Sequence, residues 1–158
     1  MKLCDLVTVE TIVPRLSALE RDAALNELFD ALVAAKVVKK GERDILLASV
    51  LEREKKGSTG FGKGVAVPHV KHASIKKMAA AVGTSASGID FNALDKQPVY
   101  SVFLLLSPAE KPEEHLQAME TIFKNLSQDK FRRFLRQAET AEDIWGVLDD
   151  ADHQRLGT

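Results

Sequence analysis

Arg53, the hydroxyl pair Ser58-Thr59 and His69 all fall in one short run, Arg53-Glu54-Lys55-Lys56-Gly57-Ser58-Thr59-Gly60-Phe61-Gly62-Lys63-Gly64-Val65-Ala66-Val67-Pro68-His69. Together they have the chemistry to handle a phosphoryl group. A neutral imidazole nitrogen is a nucleophile near neutral pH, and a group whose charge changes easily there can take and release phosphoryl reversibly. Such transfer asks little of a protein beyond in-line positioning and stabilisation of charge on the equatorial oxygens. A guanidinium such as that of Arg53 presents several fixed donors to phosphate, and Ser58 and Thr59 can add hydroxyl or backbone donors. His115 follows Pro112-Glu113-Glu114, in the first turn of an expected helix, where an anion is favoured. Each residue also has an ordinary reading. His69 can be a surface turn residue, Arg53 a complement to a helix dipole, His115 a solvated first-turn residue, and Ser58 and Thr59 loop formers.

Other chemistries fit less well. Gly57, Gly62 and Lys63 satisfy the opening of the phosphate-binding loop pattern G-x-x-x-x-G-K, but Gly64 stands where a magnesium-binding serine or threonine is needed. That pattern also belongs between a strand and a helix, whereas here a helix precedes it and a strand follows. A metal-dependent hydrolase would have to draw on His69, His72 and His115, yet there is no compact ligand pair of the H-E-x-x-H or C-x-x-C kind. The lone Cys4 reads as a small residue in a terminal strand or loop rather than a catalytic thiol. His72 and His153 read as surface residues, and Lys63 as a solvated lysine.

The elements that must position these residues follow from hydrophobic periodicity. Over 20–36, Leu25, Leu28, Phe29, Leu32 and Val33 share a helical face. A second helix over 42–54 puts Ile45, Leu46, Ser49, Val50 and Arg53 on one inward-leaning side. Gly57, Gly60, Gly62 and Gly64 then make a flexible loop that runs into a short strand, Val65-Ala66-Val67-Pro68. Further strands are expected over 77–83 and 99–106, joined by a turn region over 87–97, and the second is apolar enough for the middle of a sheet. Pro112 opens a helix whose buried stripe is Leu116, Met119, Ile122, Phe123 and Leu126. Two shorter helices follow, one with Phe131, Phe134 and Leu135, the other capped by Thr140 and burying Ile144, Trp145, Val147 and Leu148. The order implies an α/β (α+β) fold, a mixed β-sheet covered by helices on both faces.

The chain of 158 residues suits one domain over 1–158, without repeats or a linker. Acidic and basic residues balance to a formal charge of -1, so no global field recruits nucleic acid. The longest apolar runs fall far short of the roughly 20 residues a spanning helix needs, which argues against membrane insertion. An acid at Asp5 interrupts any signal-peptide core, and a single thiol forms no internal disulfide, so a cytoplasmic protein is expected.

The run from Arg53 to His69 resembles the enzyme IIA domains of the bacterial sugar phosphotransferase system, fructose and mannitol type, whose members include nitrogen-regulatory proteins. In that family a glutamate, a serine-threonine pair and glycines lead into a short strand ending in Pro-His. The likeness extends to the helix around Arg53, the strand over 99–106 and the segment from Pro112 to His115-Leu116. It implies that His69 is the phosphoryl acceptor, with His115 and Arg53 completing the site, and that no metal and no cofactor is needed. It implies HPr, or its nitrogen-related counterpart, as donor, and an enzyme IIB or a regulatory target protein as recipient. One departure is Val70, where the family usually has a small residue. A β-branched side chain there is expected to narrow a partner's approach.

Overall fold

The computed structural model describes residues 1–156, so Gly157 and Thr158 of the expected domain lie outside the described residues. Two short 3₁₀ turns, Leu3–Asp5 and Val9–Thr11, lead into β1 (Ile12–Val13), α1 (Arg21–Ala34) and α2 (Arg43–Lys55). Then come β2 (Gly60–Gly62), β3 (Val65–Ala66), β4 (His69–His72), β5 (Ala79–Ile89) and β6 (Val99–Pro108). The chain closes with α3 (Pro112–Leu126), α4 (Asp129–Gln137) and α5 (Ala141–Asp152). Glu20 caps α1 by accepting from Ala23 N, Pro112 stands in the first turn of α3, and Thr140 caps α5 by accepting from Asp143 N.

β6 is the centre of a mixed sheet. It runs antiparallel to β5 on one side and parallel to both β3 and β4 on the other; β1 extends the β5 edge and β2 the β3 edge. The central place explains why Val102 to Leu106 are all buried, since such a strand faces a core on both sides. Val102, Leu104 and Leu106 join α1 and α2 in one core, while Phe103 and Leu105 join α3, α4 and α5 in the other. Helices therefore cover both faces, as expected. α1 lies close against the sheet: a Cβ on Gly83 would meet Leu16 Cδ1 at 2.8 Å and Leu28 Cδ2 at 3.0 Å.

Several local expectations are corrected. The glycine-rich stretch is not simply a loop, because Gly60–Gly62 pairs antiparallel with Val65–Ala66 around Lys63-Gly64, whose φ values of 60° and 77° are those of a two-residue hairpin turn. A hairpin in this place also removes the phosphate-binding-loop reading, since no helix follows it. β5 extends to Ile89, into the expected turn region. α2 is rotated by about one position: Leu46, Leu47, Val50 and Glu54 are buried, whereas Ile45 is 57% exposed and Arg53 lies on the flank. In α3 the stripe is Ala118, Ile122 and Leu126, with Met119 and Phe123 half-buried and Leu116 at 59% exposure. Cys4 lies in a 3₁₀ turn; burial first, then Asp152, pushes its thiol up to about 12, so it stays protonated and a poor nucleophile.

Candidate functional site

β3 and β4 form one line of strand beside β6, interrupted at Val67-Pro68. Both lie parallel to β6, β3 against Ser101 and Val102 and β4 against Leu105 to Pro108. Proline has no N–H to give a ladder, so pairing breaks at Pro68 and resumes when its carbonyl accepts from Leu105 N at 2.9 Å. The Val67 carbonyl faces the ring of His69, whose Nδ1 lies 2.9 Å away. A carbonyl can only accept, so Nδ1 carries the proton and the lone pair is on Nε2. The imidazole is thus held in the tautomer and orientation of a nucleophile.

β4 residues alternate between the two faces of the sheet. His69, paired with Leu105, faces the side of α3; Val70, paired with Leu106, points into the core beneath α1 and α2 and is 5% exposed. The expectation that Val70 narrows a partner's approach is therefore corrected: its side chain does not line the opening. Lys71 returns to the His69 side and is exposed.

α3 follows β6 directly and brings His115 over the same face. The His69 and His115 rings lie 5.5 Å apart, centroid to centroid, tilted by 56°, and both are half-buried. His115 Nδ1 is 2.6 Å from the hydroxyl of Ser107, the fully buried next-to-last residue of β6. Burial first, then the electrostatic influence of nearby His69 and Lys71, holds the His115 pKa down at about 4, so the ring is neutral at physiological pH.

The remaining expected residues reach the site indirectly. Arg53 Nη1 donates to Gly57 O at 2.8 Å, closing the last turn of α2 onto the loop, and no hydrogen bond joins Arg53 to either imidazole among the described residues. Ser58 Oγ donates to Phe91 O at 3.2 Å and accepts from Gly60 N at 3.0 Å. Its hydroxyl is already engaged in shaping the turn. Thr59 is fully buried, and its Oγ1 has no hydrogen-bond partner among the described residues. His72 Nδ1 accepts from Ser74 N at 3.0 Å and lies 2.8 Å from Ser74 Oγ, while His153 bonds Asp149 O. No three His, Cys, Asp or Glu side chains among the described residues are arranged to hold a metal ion.

Two residues at the site escaped sequence reading. Ser107 closes an apolar strand run just before Pro108, which reads equally well as an ordinary strand end. Glu54 was visible only as part of the motif, and its burial against Thr59 N was not.

Residues 5–151 match the family described as "Phosphoenolpyruvate-dependent sugar phosphotransferase system, EIIA 2". The chain belongs to this family. Within the enzyme IIA family its relatives divide by role. It is 35% identical over 150 residues to the PTS system fructose-specific EIIA component of Haloferax volcanii, covering 91% of this chain and 96% of that protein. It is 37% identical over 148 residues to the nitrogen regulatory protein of Bradyrhizobium diazoefficiens, covering 94% and 95%. The Bacillus subtilis fructose-specific EIIABC component is 32% identical over 152 residues, but the match spans 96% of this chain and only 24% of that protein. The crystal structure of nitrogen regulatory protein IIA-Ntr from Neisseria meningitidis superposes with a TM-score of 0.82 at 28% identity, covering 91% of this chain and 97% of that one. Among the described residues, no helix is long and apolar enough to cross a membrane.

Proposed function

We propose that this protein is a cytoplasmic, single-domain phosphocarrier that accepts a phosphoryl group on His69 Nε2 and hands it to a partner protein. The observation that carries the reading is the bond between His69 Nδ1 and the Val67 carbonyl, which leaves Nε2 with the lone pair beside a second imidazole. In the forward step the donor's N–P bond breaks as the bond from His69 Nε2 to phosphorus forms. The Val67 carbonyl stabilises the positive charge that develops on the ring, through the Nδ1 proton. His115 and Arg53 hold the phosphoryl oxygens, the latter after leaving Gly57 O. HPr or its nitrogen-related counterpart is the donor, and an enzyme IIB is the recipient.

A second reading keeps the chemistry and changes the destination. The identity to the Bradyrhizobium nitrogen regulatory protein, over nearly the full length of both chains, supports an output in which the phosphorylation state of His69 governs binding to a regulatory target.

Incubation with phosphoenolpyruvate, enzyme I and HPr, or with the nitrogen-related enzyme I and carrier, tests both. One acid-labile, base-stable phosphate is expected on His69, and none from ATP alone. A His69→Ala protein that gains the full label refutes the assignment. Onward transfer to an enzyme IIB supports the first destination; its absence, with phosphorylation-dependent capture of a target, supports the second.

A further inference from the structure

We infer that Ser107 is a positioning residue that holds His115 with its proton on Nε2, so that His115 offers an N–H donor to a phosphoryl group on His69. Its role in transfer rests on the phosphocarrier reading above. The hydrogen bond itself does not.

The Ser107 hydroxyl is fully buried at the end of β6, and its hydrogen-bond partner among the described residues is His115 Nδ1, at 2.6 Å. If Nδ1 carried the ring proton, it would donate to Ser107 Oγ, and the hydroxyl proton would be stranded in the interior without an acceptor. A buried unpaired donor costs more than a hydrogen bond returns. The pairing that satisfies both groups has Ser107 O–H donating to the Nδ1 lone pair. Because the ring is neutral at physiological pH, its one proton is then on Nε2.

The two imidazoles therefore have opposite polarity. His69 has its proton on Nδ1, facing Val67 O, and its lone pair on Nε2; His115 has its lone pair on Nδ1, facing Ser107, and its proton on Nε2. With the rings 5.5 Å apart, a phosphoryl group on His69 meets a donor. The other His115 tautomer would present a second lone pair to anionic oxygens. Ser107 also fixes the ring, because the hydrogen bond at one imidazole nitrogen sets whether the other carries the proton.

The test is long-range ¹H–¹⁵N correlation on unphosphorylated protein labelled at histidine, with rapid-quench transfer from phosphorylated HPr or the nitrogen-related carrier. Wild-type His115 should show the Nε2–H pattern with an Nδ1 shift characteristic of a hydrogen-bond acceptor. Ser107→Ala should move that shift to the unbonded value and slow transfer by about tenfold, the low end of what metal-bound histidines lose with such a partner. Ser107→Thr, which keeps the hydroxyl, should restore both. In a His115→Ala background, Ser107→Ala should cause no further slowing, because it acts through that ring. A wild-type ring protonated on Nδ1 overturns the inference even if no variant folds. A folded Ser107→Ala protein with wild-type transfer, or equal slowing with and without His115, also overturns it. Failure of the wild-type protein to take phosphate from either carrier would instead refute the phosphocarrier reading, and with it the role in transfer, while the spectrum still decides the hydrogen bond.

Discussion

The carboxylate of Glu54 accepts the backbone N–H of Thr59 at 3.1 and 3.3 Å from its two oxygens, with only 2% of the glutamate exposed. Thr59 O in turn accepts from Val67 N at 3.1 Å, and Val67 O holds His69. A buried acid at the end of α2 is thus linked through two backbone segments to His69.

Glu54→Ala leaves the Thr59 N–H unpaired in the interior and is expected to destabilise the fold by about 1–3 kcal/mol. Glu54→Gln, which keeps an acceptor oxygen, should cost less. Chemical denaturation gives the energies, and phosphoryl uptake at a temperature where all variants are folded reports the effect on His69. Equal stability of the alanine and wild-type proteins would contradict the linkage.

Thr59 offers the opposite test. Its Oγ1 is buried and without a hydrogen-bond partner among the described residues, so Thr59→Val exchanges an unsatisfied hydroxyl for a methyl of similar shape and should be neutral or stabilising, by up to about 1 kcal/mol. Transfer should be unchanged. A large loss of transfer in a folded Thr59→Val protein would mean that the hydroxyl turns to the phosphoryl group, as the sequence alone allowed.

On the proposed reading, Arg53 exchanges its Gly57 carbonyl for phosphoryl oxygens. Arg53→Ala is therefore expected to slow transfer by about 10²- to 10³-fold, the usual cost of losing one donor that acts as charge develops. Arg53→Lys should recover only part, since the ammonium keeps the charge and loses the planar fork. Rapid-quench kinetics decide it; wild-type rates in the alanine variant would leave Arg53 as a helix-end residue.

The depressed pKa of His115 gives stability a definite pH dependence. As pH falls from the ordinary 6.5 toward about 4, the unfolded chain takes up a proton that the folded ring refuses, so the unfolded state gains. The contribution is complete above pH 6.5 and is lost progressively down to about 4. Between pH 7 and 4.5 the wild-type Tm should therefore fall further than that of His115→Gln, which has no titrating ring at this position. Parallel Tm profiles would show that the ring is not held neutral.

Much of this protein was determined locally, by its sequence. The period of Leu25, Leu28, Phe29 and Leu32, the proline opening α3 and the Thr140 cap each act within a few residues, and α1, α3 and α5 form where those signals put them. The run at Val102 to Leu106 is apolar enough for the middle of a sheet, where it lies, and the Pro-His junction pointed to His69 as the candidate acceptor. Tertiary structure decided what depends on partners distant in sequence. In α2, Ile45, Leu46 and Leu47 are consecutive apolar residues that permit more than one helix rotation; packing against α1 and the sheet turned Ile45 outward and drew Glu54 in, where Thr59 N satisfies it. Strand alternation sent Val70 into the core and His69 to the α3 side. The pairing of His69 with His115, and of His115 with Ser107, exists only because β4 adds parallel to β6 and α3 folds back over that edge. Such contacts are set by sheet register and helix packing, whose energies are summed over the whole core, and no short window of sequence contains them.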